Sequence, residues 1–171
     1  IVCAGDGIAL AMETAKQFKP VPHVNYFKNF GTAHIKVNLT GDAGAAFDIE
    51  FVGARKESYE YHSRKPSVVP GTIEDDQNRR DFTINALFFN LRTHQVEDWT
   101  GRGLQDLKAR LLVTPLCPTT TFHDDPLRVL RAIRFAVRYN MKLDEQLEEA
   151  CRDPEVHETL HVKISRERVG K

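Results

Sequence analysis

Two strings in this sequence gather side chains capable of chemistry. The first, Arg79-Arg80-Asp81-Phe82-Thr83-Ile84-Asn85-Ala86-Leu87, packs two guanidinium groups, a carboxylate, a hydroxyl and an amide together and then turns apolar. Arginine's planar fork matches phosphate oxygens, and two adjacent forks with an asparagine nearby suit a triphosphate. Asp81 can orient one fork or cap a turn, and Asn85, a polar residue in an otherwise apolar stretch, requires a partner. The second string, Asp124-Asp125-Pro126-Leu127-Arg128, sets the Asp125 carboxylate and the Arg128 guanidinium three residues apart at a helix start. One accepts and the other donates, which complements the amino donor and ring-nitrogen acceptor shared by cytosine and adenine and reversed in guanine and uracil. Such a pair would take C and A and refuse G and U without a template. Spacing alone reads more readily as a helix cap with an ion pair, worth only ~0.2–0.5 kcal/mol.

Two weaker patterns accompany them. Arg131, Arg134 and Arg138 continue from Arg128 at helical spacing, opposite Val129, Leu130, Ile133 and Val137. They make either a phosphate-facing stripe or, by default, a solvated face. Asp48 and Glu50 alternate on a strand and so share one face, where paired carboxylates can hold Mg²⁺. Two charges on an edge strand are also common without a metal.

These groups need elements to position them. Helical periodicity over Ile8, Ala11, Met12, Ala15 and Phe18 follows a Gly5-Asp6-Gly7 turn. Residues 24–30, 32–39 and 46–53 read as strands, with a hairpin turn at Gly41-Asp42-Ala43-Gly44. Residues 55–72 are polar and without period, which predicts a long mobile loop carrying Arg55 and Arg64. A short acidic helix over 72–78 precedes an apolar strand over 82–91, paired with 95–99. A short helix over 104–109 and a strand over 111–114 follow, then helices from Asp125 to about Tyr139 and over 143–152, stopped by Pro154. A third helix begins near Ser165. Strands first and helices after predict an α+β domain running into an all-helical one, with the seam near 118–124.

The 171 residues suffice for one sizeable core. The 24 basic and 24 acidic residues cancel, so any basic surface must be local. Cys3, Cys117 and Cys151 lack metal-type spacing and read as reduced thiols. No apolar run approaches a membrane span and no signal-peptide pattern is present. The opening Ile1-Val2-Cys3 has the character of a strand already under way and the sequence stops as a helix starts, so an internal segment is expected.

Taken in order, these motifs resemble the class II nucleotidyltransferases, which comprise the CCA-adding tRNA nucleotidyltransferases and the bacterial-type poly(A) polymerases. Phe51-Val52-Gly53-Ala54-Arg55 resembles the strand before the mobile loop, Arg79 to Leu87 the RRDFTINAL string, and Gly103-Leu104-Gln105-Asp106-Leu107 the GLxDL turn. Asp124 to Arg128 resembles the base-selecting motif and Ile164-Ser165-Arg166-Glu167-Arg168 the opening of the neck. The two long strings are the specific ones.

The resemblance implies a polymerase-β-type head with a mixed sheet and flanking helices (residues 1–120), followed by the start of an all-helical neck (121–171). It implies successive transfer of CMP and AMP from CTP and ATP to the 3′ end of tRNA, with release of pyrophosphate. Asp125 and Arg128 would select the base, Arg80 and Asn85 would contact sugar and phosphates with Arg79, Asp81 and Arg131 alongside, and Glu50 would be a supporting carboxylate. The principal Mg²⁺ ligands, an Asp-x-Asp pair, are expected upstream of Ile1, so the chain alone is expected not to add nucleotides. The runner-up is a poly(A) polymerase, against which residues 27–35 lack the basic pattern associated with that branch. A non-catalytic nucleotide- or RNA-binding module, and a sheet left poorly folded by a shortened strand, are the other readings. A cytoplasmic location is expected, with mitochondrial or nuclear pools if the source is eukaryotic.

Overall fold

The computed structural model describes residues 1–38, 46–60, 63, 65–165 and 167; the expected hairpin turn at 41–44 lies outside them. The chain forms two compact units, residues 1–56 with 68–73, and residues 57–67 with 74–171.

The first unit is a four-stranded mixed sheet covered on one face by a helix. The strand order is β1 (Val2–Cys3), β4 (Ala46–Gly53), β3 (Thr32–Asn38), β2 (Val24–Phe27). β1 runs parallel to β4, and the other pairs are antiparallel. Alternation along β3 sends Ala33, Ile35 and Val37 inward, where they meet Phe51 of β4 and Ala11 and Ala15 of α1 (Gly7–Ala15). Asp6 caps α1, its Oδ1 accepting from the Ile8 and Ala9 amides at 2.8 and 3.2 Å. Gly7 must be bare, because a Cβ there would lie 2.8 Å from Val52 and Gly53 backbone atoms. The strand expected over 24–30 ends at Phe27. Lys28–Phe30 form a 3-10 turn closed by Gly31 at φ 58°, a left-handed position that suits glycine.

Residues 55–72, expected as a loop without regular structure, contain β5 (Arg55–Ser58) and β6 (Ser67–Pro70), which pair as a ribbon. Burial alternates along β5, but its inward residues are Arg55 and Glu57, so no apolar period marked it in the sequence.

The second unit has its core in Phe82, Leu112, Phe122, Val129, Leu147 and Val156. Its elements are α2 (Ile73–Asn78, with Ile73 in the first unit), the hairpin of β7 (Phe88–Asn90) and β8 (Gln95–Glu97), and α3 (Gly103–Ala109). β9 (Leu111–Leu112) pairs in parallel with β10 (Lys142–Leu143), and the helices are α4 (Pro118–Asp124), α5 (Leu127–Tyr139), α6 (Glu145–Arg152) and α7 (Pro154–Lys163).

Three expectations change here. The strand expected over 82–91 is broken by a 3-10 turn at Thr83–Asn85, because Thr83 and Asn85 spend their side chains on Asp106 and Asp81. Residues 118–124, where the domain seam is expected, form helix α4, opened by Pro118 in its first turn. Pro154 starts α7 instead of only ending α6, since Asp153 accepts from the Glu155 amide at 2.9 Å and caps it. Along α5 the buried face is Arg128, Val129 and Ala132, with Phe135 and Ala136 half-buried, while Ile133 and Val137 are exposed. The expected apolar stripe is therefore split, Val129 packing into the core while Ile133 and Val137 face outward, on a helix whose other inward contacts include the bonds of Arg128 and Arg131.

Candidate nucleotide site

Helix α2 delivers the first string. Asp76, fully buried, accepts from Arg79 through Oδ1 (Nε 2.9 Å, Nη2 2.6 Å) and from Arg80 through Oδ2 (Nε 3.3 Å, Nη2 2.7 Å). The spacing is i,i+3 and i,i+4, which places both arginines on the face of Asp76. Arg79 Nη1 also donates to Glu57 Oε1 at 3.1 Å, so two carboxylates engage all three nitrogens of that fork. Arg80 is more open and lies over the Phe88 ring, 5.7 Å from its centroid.

Asp81 closes the turn that follows. Its Oδ1 accepts from the Phe82 amide (2.9 Å) and Asn85 Nδ2 (3.0 Å), and its Oδ2 accepts from Arg131 Nε (2.7 Å). The partner that Asn85 required is therefore inside its own string. Behind the turn, Thr83 Oγ1 donates to buried Asp106 Oδ2 at 2.6 Å, and Arg102 Nε closes on the same oxygen at 2.9 Å. Gly103 permits this approach, since a Cβ there would sit 2.7 Å from the Thr83 carbonyl oxygen. The GLxDL turn thus carries the RRDFTIN string from behind.

The second string meets the first through α5. Arg128 Nη2 donates to the Arg79 carbonyl oxygen, and its Nη1 reaches the Thr121 carbonyl oxygen at 3.5 Å. One turn later, Arg131 grips Asp81. Asp125 sits between α4 and α5 with extended backbone (φ −136°, ψ 95°), and its Oδ1 accepts from the Leu127 amide at 3.2 Å. Burial pushes the neighbouring Asp124 carboxyl up, against the pull of Arg128 and Lys163. Tyr59 donates its hydroxyl to Glu57 Oε2 at 2.7 Å; burial and this bond push the phenol well above its ordinary range, with the charges of Arg128 and Asp125 also acting on it.

Arg79, Arg80, Asp81, Asn85, Asp125, Arg128 and Arg131 thus share the second unit. Glu50 belongs to the first, exposed on the sheet face opposite α1, where the register sets it against His34 and sets Asp48 against Lys36. Arg55, in the same unit, borders a cavity of about 570 Å³ with Asp6, Phe30, Gly31, Gly53 and Pro70, and donates to the Phe30 carbonyl oxygen at 3.5 Å. Arg64 lies outside the described residues. Among the described residues no group of three or more His, Cys, Asp or Glu side chains is placed to hold a metal ion.

Sequence reasoning missed Asp76, Glu57, Tyr59 and the Thr83–Asp106 bond. Asp76 carried a readable signal in its helical spacing to both arginines. Glu57 lies 22 residues from Arg79 and carried none.

The family model described as the Poly A polymerase head domain matches residues 4–113. The chain belongs to this family. This head-domain chain is 53% identical over 124 residues to the tRNA nucleotidyltransferase cca2 of Schizosaccharomyces pombe, a match covering 72% of the chain and 26% of the relative. A solved CCA-adding enzyme in its apo form II superposes with a TM-score of 0.79 at 32% identity, covering 98% of the chain and 38% of that structure. A tRNA nucleotidyltransferase complexed with a primer tRNA and an incoming ATP analog superposes with a TM-score of 0.75 at 34% identity, covering 98% and 44%. The α+β fold with its mixed sheet is therefore that of the nucleotidyltransferase head. The chain spans about a quarter of the length of the curated relative it matches. Among the described residues no helix is long and apolar enough to cross a membrane.

Proposed function

We propose that the protein is a template-independent RNA nucleotidyltransferase that adds CMP and AMP, from CTP and ATP, to the 3′ end of tRNA. The observation that carries this reading is the bond from Arg128 to the Arg79 carbonyl, which ties the base-reading string to the phosphate-reading one. The identity with a tRNA nucleotidyltransferase and the likeness to CCA-adding enzymes support it.

In this reading Asp125 accepts from the exocyclic amine of C or A and Arg128 donates to the ring nitrogen. Arg80 and Asn85 serve sugar and phosphates, with Arg79, Asp81 and Arg131 holding them in place. Glu50 is a supporting carboxylate, and Arg55 and Arg64 are the arginines of the 55–72 segment that the resemblance makes the mobile loop. Mg²⁺ would neutralise the developing pyrophosphate charge. Residues 1–120 act as the head and 121–171 as the neck, in the cytoplasm or, in a eukaryote, also in mitochondria or nucleus.

Poly(A) addition is the second reading, favoured by the description of the matching family. The test is incorporation by the full-length protein on a tRNA lacking its 3′ end, with Mg²⁺ and each nucleoside triphosphate singly and in pairs. Addition of C and then one A is expected. Long tails of A alone establish poly(A) addition, and no incorporation by folded protein leaves a binding module.

A further inference from the structure

We infer that Asp76 is a positioning residue for base selection, acting through Arg79 on Arg128; the inference rests on the function proposed above. Adjacent arginines repel, and in water their long side chains would separate. Here a single buried carboxylate holds both, giving one oxygen to each fork. Glu57 completes the grip on Arg79 and is itself braced by the Tyr59 hydroxyl.

The consequence is a division of labour within the arginine pair. The Arg79 fork is turned toward two carboxylates and is mostly buried, so it presents little surface to a triphosphate. What Arg79 contributes to the site is its carbonyl oxygen, which receives Arg128 Nη2. Arg128 is buried and aimed by this carbonyl and that of Thr121. The aim matters because base reading depends on the spacing and angle between the Arg128 donors and the Asp125 acceptor, and a fork is directional where an ammonium is not. Asp76 thus sets, at one remove, the angle at which Arg128 meets a base. Arg80, the more exposed of the pair, remains as the phosphate-side fork.

The test compares wild type, Asp76→Asn and Arg79→Lys in the full-length protein. It measures kcat and KM for each of the four nucleoside triphosphates, with melting temperature and circular dichroism as the check of folding. Asp76→Asn is expected to lower the preference for CTP and ATP over UTP and GTP at least tenfold, with a smaller common change in KM. Arg79→Lys, which keeps the charge but not the fork, is expected to do the same should Asp76→Asn fail to fold. A uniform loss across all four nucleotides with selectivity intact, from whichever variant folds, overturns the inference and leaves Asp76 a structural residue. A uniform rise in KM from Arg79→Lys alone overturns it too, by making Arg79 a phosphate ligand. Wild-type protein that incorporates no nucleotide removes the proposed function, and this inference with it.

Discussion

Arg128 reaches across 49 residues of sequence to place its guanidinium on the carbonyl oxygen of Arg79. Three residues on, Arg131 grips Asp81, so two successive turns of one helix hold two residues of the arginine-rich string on either side of Arg80. A charge-assisted bond to a backbone carbonyl fixes direction as well as distance.

Arg128→Lys keeps the charge and removes the fork that spans two carbonyls. A loss of about 1.5–3 kcal/mol in unfolding free energy is expected from the bonds to a charged donor. Chemical denaturation of the two proteins measures it, and a change within error would mean that the carbonyl bonds carry no weight.

Arg131→Met tests the second contact, whose arginine is substantially exposed. Asp81 retains the Phe82 amide and Asn85, so the expected cost is only about 0.5–1 kcal/mol. The same denaturation experiment should rank it below Arg128→Lys.

Thr83→Val keeps the volume and removes the hydroxyl that meets buried Asp106. The carboxylate still has Arg102, and the expected loss is about 1–3 kcal/mol. Hydrogen exchange of the 82–86 amides should rise with it, since this bond anchors the turn from behind.

Gly7→Ala asks whether α1 must lie as close to β4 as it does. The added Cβ would stand 2.8 Å from three backbone atoms of Val52 and Gly53, none of which can swing aside. A loss of about 1–3 kcal/mol is expected from overpacking; an unchanged melting temperature would refute the close approach.

Tyr59 makes a prediction in pH. Its phenol is pushed above the ordinary 10.0 by burial and by the Glu57 bond. The folded state therefore holds this proton more tightly than the unfolded state. The associated stability is fully present below pH 10.0 and is lost as pH rises from there through the folded-state pKa. Absorbance titration near 295 nm should show one late-ionising tyrosine that disappears in Tyr59→Phe, and that variant should lose less stability on the alkaline side. Normal ionisation of all four tyrosines would exclude the buried Tyr59–Glu57 bond.

Much was legible without coordinates. Alternation in 32–38 and the helical period of 8–18 marked the sheet-and-helix unit, with Ala11, Ala15, Ala33 and Ile35 inward as the periods required and Met12 left exposed. The strings at 79–87 and 124–128 pointed through residue type alone to the phosphate-and-base chemistry proposed above. Asn85 was known to need a partner.

Long-range contacts decided the rest. Residue type could not say that the Arg79 fork is consumed by Asp76 and Glu57 while its carbonyl serves Arg128, since guanidinium looks the same in sequence whether it faces phosphate or carboxylate. Nor could periodicity tell that α5 buries Arg128 and Ala132 and exposes Ile133 and Val137. A helix's rotation is set by what its neighbours offer, and here Arg79, Thr121 and Asp81 offer oxygen atoms that Arg128 and Arg131 reach. The strand β5 stayed hidden for the same reason, its buried face being made of Arg55 and Glu57, whose partners lie elsewhere in the chain.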